Sequence, residues 1–148
     1  MRVWRISNYA DLSGVGGTLV AARSHHKGFP ILYTAEHPAG AMIEFLSHIE
    51  YYDIPSNFQL LKIEIPDSAS IEHVDATALP PDWRNELDVT RSIGDRWLKK
   101  KRALALRVPS VIVPHAQNIL LNPSHAEMAS VAISSMDRVP LDPRFVTR

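Results

Sequence analysis

The sequence predicts a single α+β domain with a mostly antiparallel sheet that is split around a cleft and carries flanking helices. Three observations lead to this fold class. The chain has 148 residues, 45% of them hydrophobic and 22% charged, which suffices for one core and leaves no room for a second domain. Short apolar runs of strand length recur along the chain, and residues 39–50 and 87–101 have apolar residues at helical spacing. We therefore treat residues 1–148 as one domain.

Composition and charge argue against several classes of function. Sixteen basic residues balance sixteen acidic ones, so we expect no direct binding of nucleic acid. The chain has no cysteine, which excludes disulfides, thiolate metal sites and cysteine nucleophiles. No apolar run approaches the roughly 20 residues needed to span a bilayer, and the N-terminus lacks the apolar core of a signal peptide. We expect a cytoplasmic protein with no membrane segment.

The strand predictions begin with residues 3–6 and are strongest at residues 57–66, where apolar and polar residues alternate. The strand at residues 57–66 is predicted to bury the face that carries Leu61, Ile63 and Ile65. Residues 67–81 are predicted to be a connector without regular structure. Arg5 in the first strand is open to two interpretations, a solvent-facing charge on an edge strand or a residue of a binding site.

Residues 18–46 are predicted to bring a cation, an aromatic ring and an acid to one cleft. Residues 18–23 and 29–33 read as a hairpin whose strands end in Arg23 and Tyr33, with turn-forming residues between them. The helix that follows has an apolar seam and begins near a proline. Glu44 lies off that seam, so packing does not require a carboxylate there. The seam consists of Met42, Phe45, Leu46 and Ile49.

Two polar features of this region do not form a recognisable site. Three glycines in residues 13–17 fit neither a dinucleotide-binding nor a P-loop pattern, so we interpret them as a flexible turn. His25 and His26 are interpreted as solvated turn residues, because the other histidines do not have the spacing of metal ligands. We predict no metal site.

The last third of the chain is predicted to be rich in strands. Strands are expected at residues 103–108, 111–113, 118–122 and 128–135. Ser110 follows a proline and marks a strand kink from which a hydroxyl could point into a cleft. The pattern Gly-x-Ser-x-Gly is absent, so a nucleophilic role for Ser110 is not supported.

Nine short pieces, taken in order, resemble the RES-domain toxins. These are the toxic halves of bacterial toxin–antitoxin pairs whose antitoxins carry a Xre-like helix-turn-helix. The pieces are Trp-Arg-Ile at 4–6, the glycine-rich turn at 14–17, Ala-Arg at 22–23, Pro-Ile-Leu-Tyr at 30–33, Ala-Met-Ile-Glu-Phe-Leu at 41–46, Ile-Gly-Asp-Arg-Trp-Leu at 93–98, Val-Pro-Ser-Val-Ile-Val-Pro at 108–114, Asn-Ile-Leu-Leu-Asn-Pro at 118–123 and Asp-Pro-Arg-Phe at 142–145. The arginine, glutamate and serine that name the family correspond to Arg23, Glu44 and Ser110, and Tyr33 matches the accompanying tyrosine. In many members tryptophan and a polar residue follow that arginine, whereas this chain has Ser24 and His25.

The resemblance implies a fold similar to the diphtheria-toxin-like ADP-ribosyltransferases, with NAD consumed as a substrate and no metal. Arg23, Tyr33 and Glu44 would be catalytic and would also bind NAD. Arg23 would hold the diphosphate, Tyr33 would face the nicotinamide, and Glu44 would stabilise positive charge on the ribose. Further NAD-binding roles are expected for Ser110, Arg5 and Asn122.

The resemblance leaves the acceptor of ADP-ribose open. Transfer to a protein would make the chain an ADP-ribosyltransferase, and transfer to water or phosphate would make it an NAD hydrolase or phosphorylase. The expected partners are a Xre-like antitoxin covering the active site and, in the first case, a protein acceptor. Two alternatives remain: a nuclease-type toxin, and a catalytically inactive NAD-binding or interaction module.

Overall fold

The computed structural model describes residues 1–146, so the last two residues of the predicted domain lie outside the described range. The described residues form seven strands in one sheet, three α-helices and four short 3-10 helices. The strands are β1 (Arg2–Ile6), β2 (Leu32–Ala35), β3 (Asn57–Glu64), β4 (Ile71–His73), β5 (Ala105–Pro109), β6 (Gln117–Leu121) and β7 (Ala132–Pro140). The helices are α1 (Gly16–Leu19), α2 (Pro38–Ser47) and α3 (Leu87–Lys100).

The sheet has the order β4-β5-β6-β2-β1-β3-β7, and every neighbouring pair is antiparallel except β4 with β5. The pairing of β1 with β2 involves one residue pair, Trp4 with Ala35, so the sheet opens between these two strands. By contrast, β3 pairs with β7 over most of its length. The mixed, mostly antiparallel sheet confirms the predicted α+β fold class.

The two faces of the sheet pack into different cores. On β3, Leu61 and Ile63 are fully buried, and Ile65 just beyond it is 2% exposed, as their alternation predicts. They belong to one core with residues of β1, β2, β5 and β6. The second core lies under α3, where Trp97 and Leu98 pack against residues that include Leu106 of β5. Alternate residues of the middle strands therefore serve opposite faces.

The predicted hairpin of residues 18–23 and 29–33 is wrong. Residues 16–19 form the short helix α1, and Ala22 with His25 forms only an isolated bridge. The apolar run that suggested a strand is not buried, since Leu19 is 72% and Val20 69% exposed. Gly17 instead approaches the backbone of Phe29 so closely that a Cβ there would lie 2.5 Å from the carbonyl oxygen. This contact packs the segment against the chain ahead of β2.

Three further predictions need correction. The connector at 67–81 contains β4 and the 3-10 helix Ala76–Ala78. The predicted strand at 111–113 is a turn, because the Ser110 hydroxyl accepts hydrogen bonds from the backbone N–H groups of Ile112 and Val113. The predicted strand at 128–135 begins in the 3-10 helix Ala126–Ser130.

The two long helices are found where they were predicted, but α2 ends at Ser47 and not at residue 50, so Ile49 of the predicted seam lies beyond it. Pro38 stands in the first turn of α2, and the His37 side chain caps it by accepting from the backbone N–H of Ala39 at 3.1 Å. α3 ends at Lys100, and Lys101 caps it with φ of 51°; the two lysines of the last turn suit the negative end of the helix dipole. No helix within residues 1–146 is long and apolar enough to cross a membrane.

Candidate active site

A cleft of about 640 Å³ lies over the middle strands of the sheet, with residues of both α2 and α3 in its walls. Two rows of side chains form its floor, as the strand register requires. One row runs through Leu106, Leu120 and Tyr33, and the next through Val108, Asn118 and Ala35. Side chains two residues apart on a strand are about 6.6 Å apart, so both rows are within reach of one ligand.

The structure brings the predicted residues Arg5, Arg23, Tyr33 and Glu44 to this cleft. Glu44 projects from α2, and its Oε1 accepts from Asn118 Nδ2 at 2.8 Å and from Ser110 Oγ at 3.3 Å. In the described part of the chain its other carboxylate oxygen, Oε2, has no hydrogen-bond partner. The carboxylate is therefore oriented through one oxygen and presents the other to a ligand.

Ser110 is 4% exposed and has a complete set of hydrogen bonds. It donates to Glu44 and accepts from the two N–H groups of the turn that follows β5. A hydroxyl engaged in this way orients its neighbours.

Tyr33 is held from behind by His25. His25 Nε2 lies 3.0 Å from the carbonyl oxygen of Gly17, which can only accept, so Nε2 carries the hydrogen. His25 Nδ1 then accepts from the Tyr33 hydroxyl at 2.7 Å, and that hydroxyl accepts from the backbone N–H of Ser24 at 3.2 Å. Burial raises the pKa of Tyr33 to about 12, so its hydroxyl stays neutral near pH 7. The ring is thus fixed in the floor of the cleft.

Arg23 lies in a loop that α3 holds through the backbone. Thr90 Oγ1 donates to the Arg23 carbonyl at 2.6 Å, and Arg91 Nε donates to the carbonyl of Ala22 at 2.7 Å. At Gly94 the helix touches the loop directly, because a Cβ there would lie 1.7 Å from the Ser24 carbonyl oxygen. The glycine that weakens α3 as a helix therefore permits this contact.

The guanidinium of Arg23 has an unsatisfied donor. Its Nη1 is buried, yet it has no hydrogen-bond partner within residues 1–146. A buried unpaired donor on a permanently charged group is costly unless a ligand supplies an acceptor. The unpaired Nη1 donor of Arg23 therefore suits the binding of an anionic group in the cleft.

Arg5 is not a solvent-facing charge on an edge strand, because β1 lies inside the sheet between β2 and β3. It lines the cleft and donates from Nη1 to the carbonyl oxygen of Tyr33 at 3.3 Å. Its Nε is buried without a partner among the described residues. Burial lowers the pKa of Arg5, and the Asp11 carboxylate partly opposes this effect. A second cation thus lies beside Tyr33.

Ser110 and Asn122 are the two predicted site residues that do not line the cleft; Ser110 still donates to Glu44, whereas Asn122 makes its bonds elsewhere. Asn122 is 1% exposed, its Nδ2 donates to the Leu98 carbonyl at 3.2 Å, and its Oδ1 accepts from the backbone N–H of Ser124 at 3.0 Å. These bonds tie the end of β6 to the end of α3. Asn118, four residues earlier in β6, is the asparagine that reaches Glu44.

Three cleft-related residues were missed at the level of sequence. Asn118 was detectable, since it is the polar residue on the face of β6 that alternates with Ile119 and Leu121 of the core. His25 was interpreted as a solvated turn residue, but it is 1% exposed behind Tyr33. Trp83 is 5% exposed and lines the cleft from the turn before α3, which no local pattern indicates. Within the described residues no group of three or more potential ligands is arranged to hold a metal ion.

Comparisons with known proteins show which proteins this chain resembles. A family model described as RES domain matches residues 2–143. A protein named Toxin Res from Pseudomonas putida is 44% identical over 142 residues, which cover 95% of this chain and 97% of the relative. A protein named Prs ADP-ribosylating toxin from Sphingobium sp. is 34% identical over 98% of this chain and 96% of its own length. The crystal structure of the M. tuberculosis MbcT-MbcA toxin-antitoxin complex contains a chain with the same fold, with a TM-score of 0.73 at 16% identity over 98% of this chain and 86% of that one.

Proposed function

The chain belongs to the RES domain family, and on this basis we propose that it is the toxin of a toxin–antitoxin system that cleaves the nicotinamide–ribose bond of NAD. The main support for the proposal is that side chains suited to binding and cleaving NAD lie in one cleft. An unpaired guanidinium donor of Arg23 and an oriented carboxylate of Glu44 are present together, with the fixed ring of Tyr33 in the floor. Relatives named as toxins, one of them ADP-ribosylating, support it.

The binding half of the proposal rests on Arg23. A diphosphate supplies anionic oxygens that match the planar fork of a guanidinium, and such bonds are about twice as strong as neutral ones. Arg23 Nη1 lacks an acceptor within residues 1–146, so this bond would satisfy a donor that is otherwise unpaired. The cleft volume of about 640 Å³ lies in the range of small-ligand sites. Arg5 adds a second positive charge beside Tyr33.

The chemical half rests on Glu44. When the bond between the ribose and the nicotinamide breaks, the nicotinamide leaves as a neutral molecule with the bonding electron pair, and positive charge develops on the ribose. A fixed carboxylate near that carbon stabilises the charge only as the bond breaks, so it lowers the barrier. A nucleophile then forms the new bond to this carbon and loses its proton to solvent. Asn118 and Ser110 act as positioning residues, since both bond to Glu44 Oε1.

The two alternatives receive less support. A nuclease would use histidines or a metal, but His25 is engaged with Tyr33 and Gly17, and His26 pairs with Asp95 at 2.7 Å. An inactive binding module would not need a carboxylate oriented by two donors in the same cleft as Arg23, whose Nη1 has no partner within residues 1–146. Both alternatives predict that the protein releases no nicotinamide from NAD, whether or not an acceptor is added.

The proposal includes a partner. An enzyme that consumes NAD harms the cell that makes it, so a cognate antitoxin must block the cleft, and we expect one of the Xre-like type. The MbcT-MbcA complex, a toxin bound to its antitoxin, has this fold in one of its chains. The acceptor of ADP-ribose would be a protein side chain, water or phosphate.

One experiment tests the function and separates the acceptors. The pure protein is incubated with NAD labelled in the adenylate half, alone, with phosphate, and with cell lysate. We expect nicotinamide in each arm that contains the acceptor, and therefore in at least one of the three. Free ADP-ribose alone indicates water as acceptor, a phosphorylated product that requires phosphate indicates phosphorolysis, and labelled protein bands in the lysate indicate a protein target. Absence of nicotinamide in all three arms would refute the proposal.

A further inference from the structure

His48 is a polar side chain of the cleft to which the proposed chemistry gives no role. It stands directly after α2, four residues beyond Glu44, so the two residues share one face of the helix. Both line the cleft, and no other histidine among residues 1–146 does. His48 is also exposed. It can therefore contact both the solvent and a ligand in the cleft.

The hydrogen bonds of the His48 ring show which nitrogen carries the hydrogen. Nδ1 lies 2.7 Å from the Glu44 carbonyl oxygen, which can only accept, so Nδ1 donates. Ser47 Oγ lies 3.1 Å from the same Nδ1 and gives its own hydrogen to that carbonyl at 2.8 Å. In the neutral ring, Nε2 then has a free lone pair. Nε2 has no hydrogen-bond partner in the described part of the chain.

Capping of α2 explains the contact of Nδ1 but leaves Nε2 without a use. His48 is the C-cap of α2, and histidines near a helix C-terminus often bond to one of the last carbonyl groups. That role needs only a donor at the position of Nδ1. Asparagine has a donor at the equivalent position and nothing at the position of Nε2. The capping role and any role of Nε2 can therefore be separated by substitution.

We propose that His48 Nε2 is the general base that takes the proton of the group that accepts ADP-ribose. The inference rests on the proposed function and adds the class of acceptor, a neutral O–H group of water or of a side chain. As the nicotinamide leaves with the bonding electron pair, a lone pair of the acceptor oxygen forms the bond to the ribose carbon. The hydrogen of that O–H group passes as a proton to Nε2, and the exposed imidazolium then releases it to solvent.

This assignment gives the two charges of the reaction to two side chains. Glu44 keeps its negative charge for the ribose, and His48 receives the proton. Without a base the acceptor bonds more slowly, so the nicotinamide rejoins the ribose before it leaves the site. Loss of Nε2 should therefore slow nicotinamide release, although the bond between ribose and nicotinamide is not itself touched by His48.

The test compares nicotinamide release by the wild type, His48→Asn, His48→Ala and His73→Ala at saturating NAD, with and without added imidazole. His73 is the control histidine, because it is exposed on β4 and does not line the cleft. His48→Asn keeps a donor for the Glu44 carbonyl, and His48→Ala leaves room for free imidazole. The product is identified in each assay, so that capture of ADP-ribose by imidazole is recognised. Thermal unfolding and the ADP-ribose dissociation constant are measured on the same proteins.

We expect both His48 variants to release nicotinamide about 100-fold more slowly than the wild type, the lower end of what general-base catalysis contributes. Their ADP-ribose affinity should stay as in the wild type, because Nε2 acts on the acceptor. Imidazole should raise the rate of His48→Ala about tenfold and leave the wild type and His73→Ala unchanged.

Three results would overturn the inference. His48→Asn at the wild-type rate would mean that the cap bond is the whole role of His48, and so would a His48→Ala rate that imidazole does not raise. Cleavage that phosphate alone supports would also overturn it, because the phosphate dianion attacks through an oxygen that has no proton to lose. A wild type that releases no nicotinamide would refute the proposed function itself, whereas an active wild type with an equally active His48→Asn overturns this inference alone.

Discussion

Gly94 on α3 should be essential for placing Arg23, although glycine is a poor helix former. A Cβ at this position would lie 1.7 Å from the Ser24 carbonyl oxygen and 2.8 Å from its carbon, and contacts under 3.0 Å essentially never occur. Both atoms belong to the backbone, so no side-chain rotation can relieve the clash. We expect Gly94→Ala to push the loop of residues 22–26 away from the helix.

Opposing contributions to the free energy of unfolding set the size of this effect. Alanine gains about 1 kcal/mol of helix propensity over glycine. Overpacking costs about 1–3 kcal/mol, and the loop loses bonds from Thr90 and Arg91 worth about 1 kcal/mol each. A net destabilisation of about 2–4 kcal/mol lowers Tm by about 4–16 °C in a chain of this length. A shift of roughly 1 Å in a binding group can cost about 100-fold in turnover.

Calorimetry and NAD cleavage on the same preparations measure both effects. Gly16→Ala is the matched control, because nothing lies within 4 Å of the Cβ it would add. We expect the control to resemble the wild type in Tm and turnover. If Gly94→Ala melted at or above the wild-type Tm and retained its turnover, the assigned contact between α3 and the Arg23 loop would be wrong.

Three other predictions concern Tyr33, Asn118 and expression without an antitoxin. Tyr33 has a pKa near 12, above its usual value near 10, so its neutral form contributes stability that is complete below pH 10 and is lost as pH rises toward 12. Tyr33→Phe should therefore show a smaller loss of Tm than the wild type between pH 9 and about 11, and parallel curves would contradict this. Asn118→Ala should lower turnover about tenfold and more than Ser110→Ala, because its bond to Glu44 is shorter, at 2.8 Å against 3.3 Å; the reverse order would give the serine the larger role. Expression without an antitoxin should arrest growth, and normal growth with a soluble, active protein would contradict the toxin assignment.

The strands and helices that were predicted correctly are indicated by the pattern of apolar and polar residues within each element. In β3 the alternation of Leu61 and Ile63 with polar residues decides both the strand and its buried face. The segment 18–23 failed because an apolar run does not reveal whether a partner strand exists, and Val20 is in fact exposed. β4 has only three residues, and its partner β5 is more than 30 positions away, so no short pattern could indicate it.

The site could be predicted only in part. Arg23, Tyr33 and Glu44 were found through their family resemblance and their places near the ends of predicted elements, and the structure places them in one cleft. The residues that hold Tyr33 and Glu44 in position could not be predicted, because their contacts depend on strand register and on tertiary packing. His25 reaches Tyr33 only because the loop folds back against α1, and Asn118 reaches Glu44 only because α2 packs on β1 and β2, next to β6 in the sheet. Such contacts have no counterpart in the spacing of residues along the chain.

The central claim is that Glu44 stabilises the ribosyl cation in a site where Arg23 binds the diphosphate. The most direct test measures nicotinamide release and ADP-ribose affinity for the wild type and Glu44→Gln. The glutamine keeps the shape of the side chain and a carbonyl oxygen that can accept from Asn118, but it removes the charge that matters only as the bond breaks. We predict that nicotinamide release falls by about 100-fold or more while ADP-ribose affinity stays within a few-fold. A Glu44→Gln protein that releases nicotinamide at the wild-type rate would contradict the account.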